Sequence, residues 1–272
     1  MPKKFKKIIL FLIAIAAAIL IYAHLETYWI QVVPTTVSSG NLPAEFSGKK
    51  IVFISDIHCG ENFEPGRLGK IVTWINSLKP DIVLLGGDYA DRNGKYAMAC
   101  FEELTKIEAS LGKFGVLGNH DVEAGSERIK KTMLAAGITP LVNENHAVDI
   151  AGKIITIAGS DETWHGNPDG FKAMENAADF TVFISHDPSY LERYRDSRAQ
   201  LMLAGHTHGG QITIFGIPFA GLAHHHDYKY EKGIFYETGG TVIVTSGLGA
   251  TILPLRFFAR PQINLITLEK FN

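Results

Sequence analysis

Five short apolar runs in this chain are each followed, within a few residues, by a cluster of polar residues rich in His, Asp and Asn. The runs occupy residues 51–54, 82–85, 114–117, 181–184 and 201–204. Continuous apolar runs of this length are typical of strands buried on both faces of a sheet. In open α/β sheets, sites form beyond the carboxyl ends of the strands, so we expect the five clusters to meet at one rim.

The polar clusters carry imidazole, carboxylate and amide groups, which suit divalent metals of intermediate hardness. In chain order they contain Asp56, His58, Asp88, Asp91, Asn119, His120, Asp121, His186, His206 and His208. These donors are too many for one ion, whereas two ions need about seven or eight protein contacts if water supplies the rest. A pair of ions roughly 3.5–4 Å apart is the usual machinery for hydrolysing phosphate esters. The pattern therefore predicts an α/β fold with a hydrolytic metal site at its rim.

The ordered set D-x-H, G-D-x-x-D, G-N-H-D, an isolated H after a strand, and G-H-x-H resembles the calcineurin-like metallophosphoesterase superfamily. Residues 205–211, 246–249, 254–256 and 260–263 resemble its membrane-associated bacterial branch of phosphodiesterases. The resemblance extends from about Val32 to the C-terminus. It implies an α/β fold in which two mixed sheets form a β-sandwich of the ββαββ type flanked by helices.

The resemblance also implies two sets of metal ligands that share one carboxylate. The first set is Asp56, His58 and His208, the second is Asn119, His186 and His206, and Asp88 bridges both. A shared anion offsets the repulsion between two adjacent cations, and the cations lower the pKa of a bridging water, so that hydroxide becomes the nucleophile. The two divalent ions are expected to be Mn, Fe, Zn or Co, with their identity left open.

Three further residues are predicted to act in catalysis. His120 is expected to protonate the leaving group as general acid, oriented by Asp121 or another carboxylate. Arg92 resembles the phosphate-gripping arginine of the protein phosphatases, because its planar fork suits an oxyanion; a solvated surface arginine is the alternative. Those phosphatases carry a second arginine before G-N-H, where this chain has Leu117. The difference argues against a phosphoprotein phosphatase.

Several neighbouring residues have less specific patterns. Asp91 resembles a carboxylate that orients a ligand His by accepting its other N–H. The His triplet at 224–226 and the pair Trp164 and His165 either border the substrate pocket or lie in solvated loops. Cys59 and Cys100, the two cysteines of the chain, form no disulfide framework.

The N-terminus combines a basic flank with an uncharged apolar run. Lysines at positions 3, 4, 6 and 7 precede residues 8–23, which carry no charge. Sixteen residues are short for a bilayer span, but Leu25 can extend the run and Tyr28 and Trp29 can anchor it at the interface. We therefore predict an uncleaved membrane anchor over residues 1–30 and a catalytic domain over 31–272. The alternative is a signal peptide that ends near Ala23 and releases a secreted hydrolase.

The lysines favour an N-terminus held in the cytoplasm. This orientation predicts a single-pass protein of the inner membrane with its catalytic domain on the outer side. The net charge of −2 and pI of 6.6 provide no basic field for nucleic acid. We expect a monomer whose partners are the membrane and a phosphate ester.

Beyond the five runs, the pattern alternates between helix and strand. Helices are predicted at 66–78, 95–110, 126–136, 170–177 and 188–195. Residues 30–50 are expected to form an edge strand and a connector. Later strands are predicted at 153–158, 211–215, 233–236, 241–245 and 262–268.

The leading functional prediction is a dinuclear metal-dependent phosphohydrolase that cleaves a phosphodiester or pyrophosphate bond by attack of a metal-bridged hydroxide. The membrane anchor suggests a lipid-linked or envelope substrate. An alternative within the resembling branch is the UDP-2,3-diacylglucosamine pyrophosphatase of lipid A synthesis. Its substrate lies on the cytoplasmic face, in conflict with the predicted orientation. A catalytically inactive metal-binding scaffold is a further alternative, which predicts loss of some ligands or of His120; every position is filled.

Overall fold

The computed structural model describes residues 2–92, 94–194, 196–214, 217–218 and 229–271. Within these ranges helices and strands alternate along most of the chain. The helices are α1 Lys3–Glu26, α2 Pro65–Ser77, α3 Ala97–Thr105, α4 Asn119–Ala135, α5 Gly170–Ala173 and α6 Pro188–Arg193. The strands are β1 Gln31–Ser39, β2 Lys50–Ile54, β3 Ile82–Leu85, β4 Lys113–Gly115, β5 Ile138–Pro140, β6 Glu144–Ile150, β7 Lys153–Gly159, β8 Thr181–Ile184, β9 Ala199–Ala204, β10 Thr213–Ile214, β11 Ile217–Pro218, β12 Gly233–Glu237, β13 Gly240–Val244 and β14 Gln262–Lys270.

Two six-stranded mixed sheets form a sandwich. The first has the order β1-β14-β2-β3-β4-β5 and the second β12-β13-β9-β8-β7-β6, while β10 and β11 form a separate ribbon. In β2, Ile51 and Phe53 belong to the core between the sheets, whereas Val52 and Ile54 pack in the core beneath the helices of the first sheet. Both faces of the strand are therefore buried, which explains its uninterrupted apolar run. The predicted two-sheet fold flanked by helices is confirmed.

Several predicted element bounds were wrong. α4 begins at Asn119 instead of residue 126, because the turn that holds the G-N-H-D motif is itself helical. Gly125, with φ of 108°, interrupts this helix and separates its first turns from the apolar periodicity that follows. α5 has only four residues, and the strand predicted at 211–215 is reduced to β10. β5 and β6 were not predicted. β6 is largely exposed and has no apolar run that would indicate a strand.

α1 is, among the described residues, the one helix long and apolar enough to cross a membrane. Almost all of its apolar stretch is exposed, which suits a single span and excludes a core helix. Its last turn is instead fixed to the domain. The carboxylate of Glu26 is fully buried and accepts hydrogen bonds from the backbone N–H groups of Phe258 and Ala259, at 3.0 and 2.7 Å. The end of the apolar helix is thus a structural part of the domain.

Candidate metal centre

The predicted ligands lie in sharp turns at the carboxyl ends of the strands. Five of them adopt left-handed backbone conformations with φ between 48° and 67°, namely Asp56, His58, Asp88, His206 and His208. This region is unfavourable for residues other than glycine, costs on the order of 1–3 kcal/mol each, and persists mainly at functional sites. The turns direct these side chains into the rim, where none of the seven predicted ligands is more than 3% exposed.

Glycines beside the ligands allow this close packing. A Cβ on Gly118 would lie 2.1 Å from Asp88 Oδ1, and a Cβ on Gly205 would lie 2.2 Å from Asp56 Oδ2. Any side chain at either position would displace a carboxylate. The glycines of G-N-H-D and G-H-x-H therefore have a steric role.

The side chains of the first predicted ligand set lie close together. His58 Nε2 lies 3.1 Å from His208 Nε2, and His208 Nε2 lies 3.6 Å from Asp56 Oδ1. Both oxygens of Asp56 also accept the backbone N–H of His206, which links this cluster to the second. Three donor atoms from β2 and β9 turns thus converge on one point.

The second set lies beside the first, and Asp88 lies between them. Asp88 Oδ2 is 3.5 Å from His58 Nε2 and 3.3 Å from His186 Nε2, and His186 Nε2 is 3.2 Å from His206 Nδ1. Asn119 Oδ1 is buried and has no hydrogen-bond partner among the described residues. A single carboxylate therefore contacts both clusters, as a bridging ligand would.

This donor set fits two divalent cations. Two pairs of imidazole nitrogens face each other at 3.1 and 3.2 Å beside carboxylate oxygens, and a buried amide oxygen is left for a cation. His186 Nδ1 lies 2.7 Å from the carbonyl oxygen of Gly86, and an N–H donated there leaves Nε2 to act as acceptor. The assignment of each residue as a ligand stays a prediction.

Burial and neighbouring charges set the protonation of the cluster in different directions. Against the effect of burial, the carboxylates of Asp88 and Asp56 hold the pKa of His186 well above its ordinary value. Burial lowers the pKa of His58 to about 3 and that of His208 well below its ordinary value, and so favours the neutral imidazole that a metal requires. Burial raises the pKa of Asp56 to about 6, against the opposing charge of His186. The pKa of Asp88 is held well below its ordinary range, because His186 and His58 outweigh the effect of burial. Asp88 is thus the firmest anion of the site.

His120 lies at the edge of both clusters. Its ring centroid is 4.6 Å from that of His58, and its backbone N–H donates to Asp88 Oδ1 at 2.9 Å. Burial lowers its pKa, and Nδ1 has no hydrogen-bond partner among the described residues. His120 is close enough to serve either as general acid or, with His58 and Asp88, as a ligand.

Asp121 holds backbone rather than the ring of His120. Its carboxylate accepts the backbone N–H groups of Asp88, Tyr89 and Gly118 at 2.7, 3.1 and 2.9 Å. Burial and the charge of Asp88 raise its pKa to about 8, and the hydrogen bonds from Gly118 and Tyr89 oppose this rise. The described contacts therefore give Asp121 a role in positioning the Asp88 turn.

We expect Asp121→Asn to weaken metal binding by about 10–100-fold, the usual effect of losing a group that orients a ligand. The amide would place its NH₂ group against one of three backbone N–H donors. Calorimetric titration with Mn measures the change, and Asp149→Asn, at an exposed position near the end of β6, is the matched control. Equal affinities in both variants would contradict the positioning role.

The predicted Arg92 lies on the outer rim. Its side chain is 65% exposed and pairs with Glu123 at 3.4 Å, and Glu123 in turn lies 3.6 Å from His165. Asp91 is half-buried, and burial raises its pKa against the effect of nearby His120. The charges of Arg92 and Glu123 act on the pKa of His120, so these groups lie on its side of the rim, and Arg92 is paired there with Glu123.

Of the two polar loops noted in the sequence, one borders the site. The ring centroid of Trp164 is 4.9 Å from that of His206, and Trp164 Nε1 donates to Asp187 Oδ2 at 2.9 Å. This places Trp164 against a predicted ligand. The His triplet at 224–226 lies outside the described residues.

Arg256 supports the site in a way that sequence reasoning missed. Its guanidinium is fully buried and donates to the carbonyl oxygens of His208, Ser246, Gly249 and Ala259. Burial lowers its pKa to about 10, which leaves it charged at neutral pH. Arg256 thus joins the tail of the chain to the turn of a predicted ligand.

We expect Arg256→Lys to lower the melting temperature of the full chain. A single ammonium cannot reproduce the fork, and each buried acceptor left unsatisfied costs about 1–3 kcal/mol. Circular dichroism during heating measures the effect, with the exposed Arg128→Lys as control. Unchanged melting in both variants would show that the buried network is dispensable.

Comparison with known proteins agrees with this geometry. Residues 49–210 match the family model for the calcineurin-like phosphoesterases. The chain is 36% identical over 258 residues to the uncharacterized metallophosphoesterase YkuE of Bacillus subtilis (strain 168), with 92% of this chain and 89% of that protein covered. It is 30% identical over 225 residues to the phosphodiesterase YaeI of Escherichia coli (strain K12), with 80% and 82% covered.

A solved structure shows the same fold. The NAD nucleotidase NadN of Haemophilus influenzae superposes with a TM-score of 0.52 at 15% identity, over 74% of this chain and 50% of that chain. At this identity the likeness shows the fold alone. The family match, the YkuE relative and the two buried ligand clusters together lead to one conclusion: this chain belongs to the calcineurin-like phosphoesterase family and is a metal-dependent phosphoester hydrolase.

Proposed function

We propose that the chain cleaves a phosphodiester or pyrophosphate bond in a lipid-linked or envelope substrate. The observation that carries this proposal is the pair of buried donor clusters that share Asp88, beside a helix that can span a membrane. The relative named as a phosphodiesterase favours the diester. The proposal includes a division into an anchor, residues 1–30, and a catalytic domain, residues 31–272; α1 ends at Glu26 and β1 begins at Gln31, which is compatible with it.

Each residue has a defined part in this proposal. Asp56, His58 and His208 would hold one ion, Asn119, His186 and His206 would hold the other, and Asp88 would be shared by the two sets. When bound, the ions neutralise charge on the phosphoryl oxygens and activate water. As the oxygen of water loses one proton to solvent and bonds to phosphorus, the bond to the leaving oxygen would break, and His120 in its protonated, imidazolium form would donate one proton to that oxygen and become neutral. Arg92 steadies the phosphate from the rim once it has left Glu123.

A substrate screen on the purified full chain tests this proposal. With added Mn, we expect turnover of bis(p-nitrophenyl) phosphate, and of a phospholipid or nucleoside-diphosphate lipid presented in vesicles. Chelation should abolish turnover and re-addition of metal should restore it. Hydrolysis of p-nitrophenyl phosphate alone, with no diester or pyrophosphate cleaved, would contradict the proposed bond class.

We further propose that the chain acts as a monomer in the inner membrane with its domain on the outer side. Four lysines precede the apolar run and none lies within it, which favours retention of the N-terminus inside.

A C-terminal reporter that is active only outside the cytoplasm should therefore give signal, and neutral replacement of the four lysines should weaken it. A silent reporter, together with protection of the domain from external protease, would place the site on the inner face. That result would favour the UDP-2,3-diacylglucosamine pyrophosphatase alternative.

A further inference from the structure

An exposed apolar surface lies beside the metal centre. We define the apolar rim patch as the side chains Ile214, Ile217, Ile252, Leu253 and Phe258. Ile252 is 80% exposed and Ile217 is 72% exposed, and the other three are between 42% and 52% exposed. Ile214 and Ile217 face each other across the β10-β11 ribbon, so their side chains share one face. A contiguous exposed apolar surface of this kind often marks a site that binds a protein, a ligand or a membrane.

The two segments of the patch are joined to each other. Ile212 pairs with Phe257 in an isolated bridge, and Thr213 N donates to the carbonyl oxygen of Phe257 at 2.8 Å. Gln211 also donates through Nε2 to the carbonyl oxygens of Thr251 and Leu253, at 2.9 and 3.3 Å. The ribbon and the loop at 249–259 therefore form one unit.

This unit meets the end of α1. Arg256 N donates to the carbonyl oxygen of Ala23 at 2.8 Å, and His24 Nδ1 lies 3.2 Å from the carbonyl oxygen of Pro254. The Tyr22 ring centroid lies 5.4 Å from that of Phe257. These contacts involve the last turns of α1. A bilayer spanned by α1 would end at this level of the helix. In such a bilayer, the patch would lie at the depth of the membrane interface.

A groove next to the end of α1 is lined by aromatic and basic side chains. The groove has a volume of about 560 Å³ and is lined by Tyr28, Arg67, Lys70 and Trp74, among others. Arg67 packs over the ring of Tyr28, with its guanidinium carbon 4.4 Å from the ring centroid. Aromatic rings and basic groups are the side chains that settle at the headgroup level of membranes.

Two side chains of the patch are exposed at positions where the backbone conformation is strained. Ile252 has φ of 62° and Phe258 has φ of 54°, a conformation that is rare for β-branched and bulky side chains. Glycine or asparagine would satisfy the same turns in a loop that faces only water. Apolar side chains at these positions are explained if the loop meets lipid.

The loop also reaches the predicted ligands. Leu248 N and Gly249 N donate to the carbonyl oxygen of Asp56, and Arg256 links the carbonyl oxygens of Gly249 and His208. The loop that carries Ile252, Leu253 and Phe258 therefore also contacts the turns of Asp56 and His208. A lipid headgroup at the patch would lie next to the site.

We infer that the apolar rim patch inserts into the interface of the bilayer that α1 spans, and so presents the metal centre to phosphoesters of lipid headgroups. This inference rests on the proposed function and on α1 being a membrane anchor. The occupant of the patch is lipid, because the patch is continuous with the end of a helix whose own apolar surface is uncovered in the structure.

Depth-dependent quenching in the full chain tests this inference. Ile252→Cys and Leu253→Cys are labelled with bimane in vesicles of phosphatidylethanolamine and phosphatidylglycerol, with and without brominated phosphatidylcholine. Tyr236→Cys is the matched control, because Tyr236 is 77% exposed and pairs with Thr241 at the end of its sheet remote from the rim. Leu12→Cys reports the span itself. Cys59 and Cys100 are buried and should stay unlabelled.

We expect labels at 252 and 253 to emit at shorter wavelength and to be quenched by brominated lipid, as at position 12, while the label at 236 is unaffected. An apolar face in the interface lies about 5–10 Å into the headgroup boundary, within reach of the quencher. Quenching at 12 with residue 252 behaving like 236 would overturn the inference and leave the anchor intact. Protection of 252 from aqueous iodide without quenching by lipid would also overturn it, because protein would then cover the patch.

Absence of quenching at position 12 would remove the anchor and the inference together. Circular dichroism during heating checks that the labelled variants fold like the wild type. Failure of the wild type to hydrolyse any diester would count against the proposed function alone, since the quenching result does not depend on turnover.

Discussion

Asp88→Asn is expected to abolish turnover and to remove most of the bound metal. Asp88 Oδ2 contacts donors of both clusters, and an amide cannot neutralise two cations. The ions supply several kcal/mol of transition-state stabilisation, so the rate should fall by on the order of 10³-fold or more. The loss should affect good and poor leaving groups alike, because both need the metals.

Elemental analysis and an assay with bis(p-nitrophenyl) phosphate measure this effect. Asp149→Asn makes the same change at an exposed position of β6 and should behave like the wild type. Circular dichroism should show that the Asp88 variant remains folded. Near-normal metal content together with a near-normal rate would exclude Asp88 as the bridging ligand.

His120→Ala should separate binding from chemistry. If His120 donates the proton to the leaving oxygen, its removal should lower the rate by roughly 10²–10⁴-fold, the usual contribution of a positioned general acid. The loss should be smaller for a p-nitrophenolate leaving group, which departs without protonation. Both metals should remain bound.

The metal content of His120→Ala has to be measured, because it distinguishes a metal ligand from a general acid. The ring of His120 lies 4.6 Å from that of His58 and forms a possible ligand group with His58 and Asp88. Loss of one ion from His120→Ala would therefore make it a ligand and not an acid. His146→Ala, on the exposed strand β6, controls for removal of an imidazole as such.

The rim was predictable because it depends on strand ends. Apolar runs such as 51–54 specify buried strands, and polar residues directly after them have to project from the same edge of the sheet. This rule placed Asp56, His58 and Asp88 together across nearby strands. The remote His186 and His206 joined them because their strands, β8 and β9, are adjacent and parallel in the facing sheet.

The supports of the site were less predictable. Arg256 is remote in sequence from the clusters, and a buried arginine that binds only carbonyl oxygens has no local pattern. Asp121 follows His120 directly, yet its carboxylate binds backbone N–H groups in the Asp88 turn. The first turn of α4 carries the side chain of Asp121 toward the Asp88 turn. Gly125 interrupts the helix after its first turns, so a search for apolar periodicity did not find that part of the helix. The left-handed backbone of five ligands is likewise set by tertiary packing.

The strand order of the first sheet has a consequence for how the protein is made. β14 lies between β1 and β2, and β1 pairs with no other strand of that sheet. During synthesis, residues 31–39 therefore cannot form this pairing until residues 262–270 have left the ribosome. The carboxylate of Glu26 likewise cannot accept its two hydrogen bonds until residues 258 and 259 have been made. Closing so distant a pairing is slow, since the entropy of a long loop is lost before any contact forms. The first sheet thus cannot close until synthesis has passed residue 270, and the edge formed by residues 31–39 stays unpaired while the residues between the two strands are made.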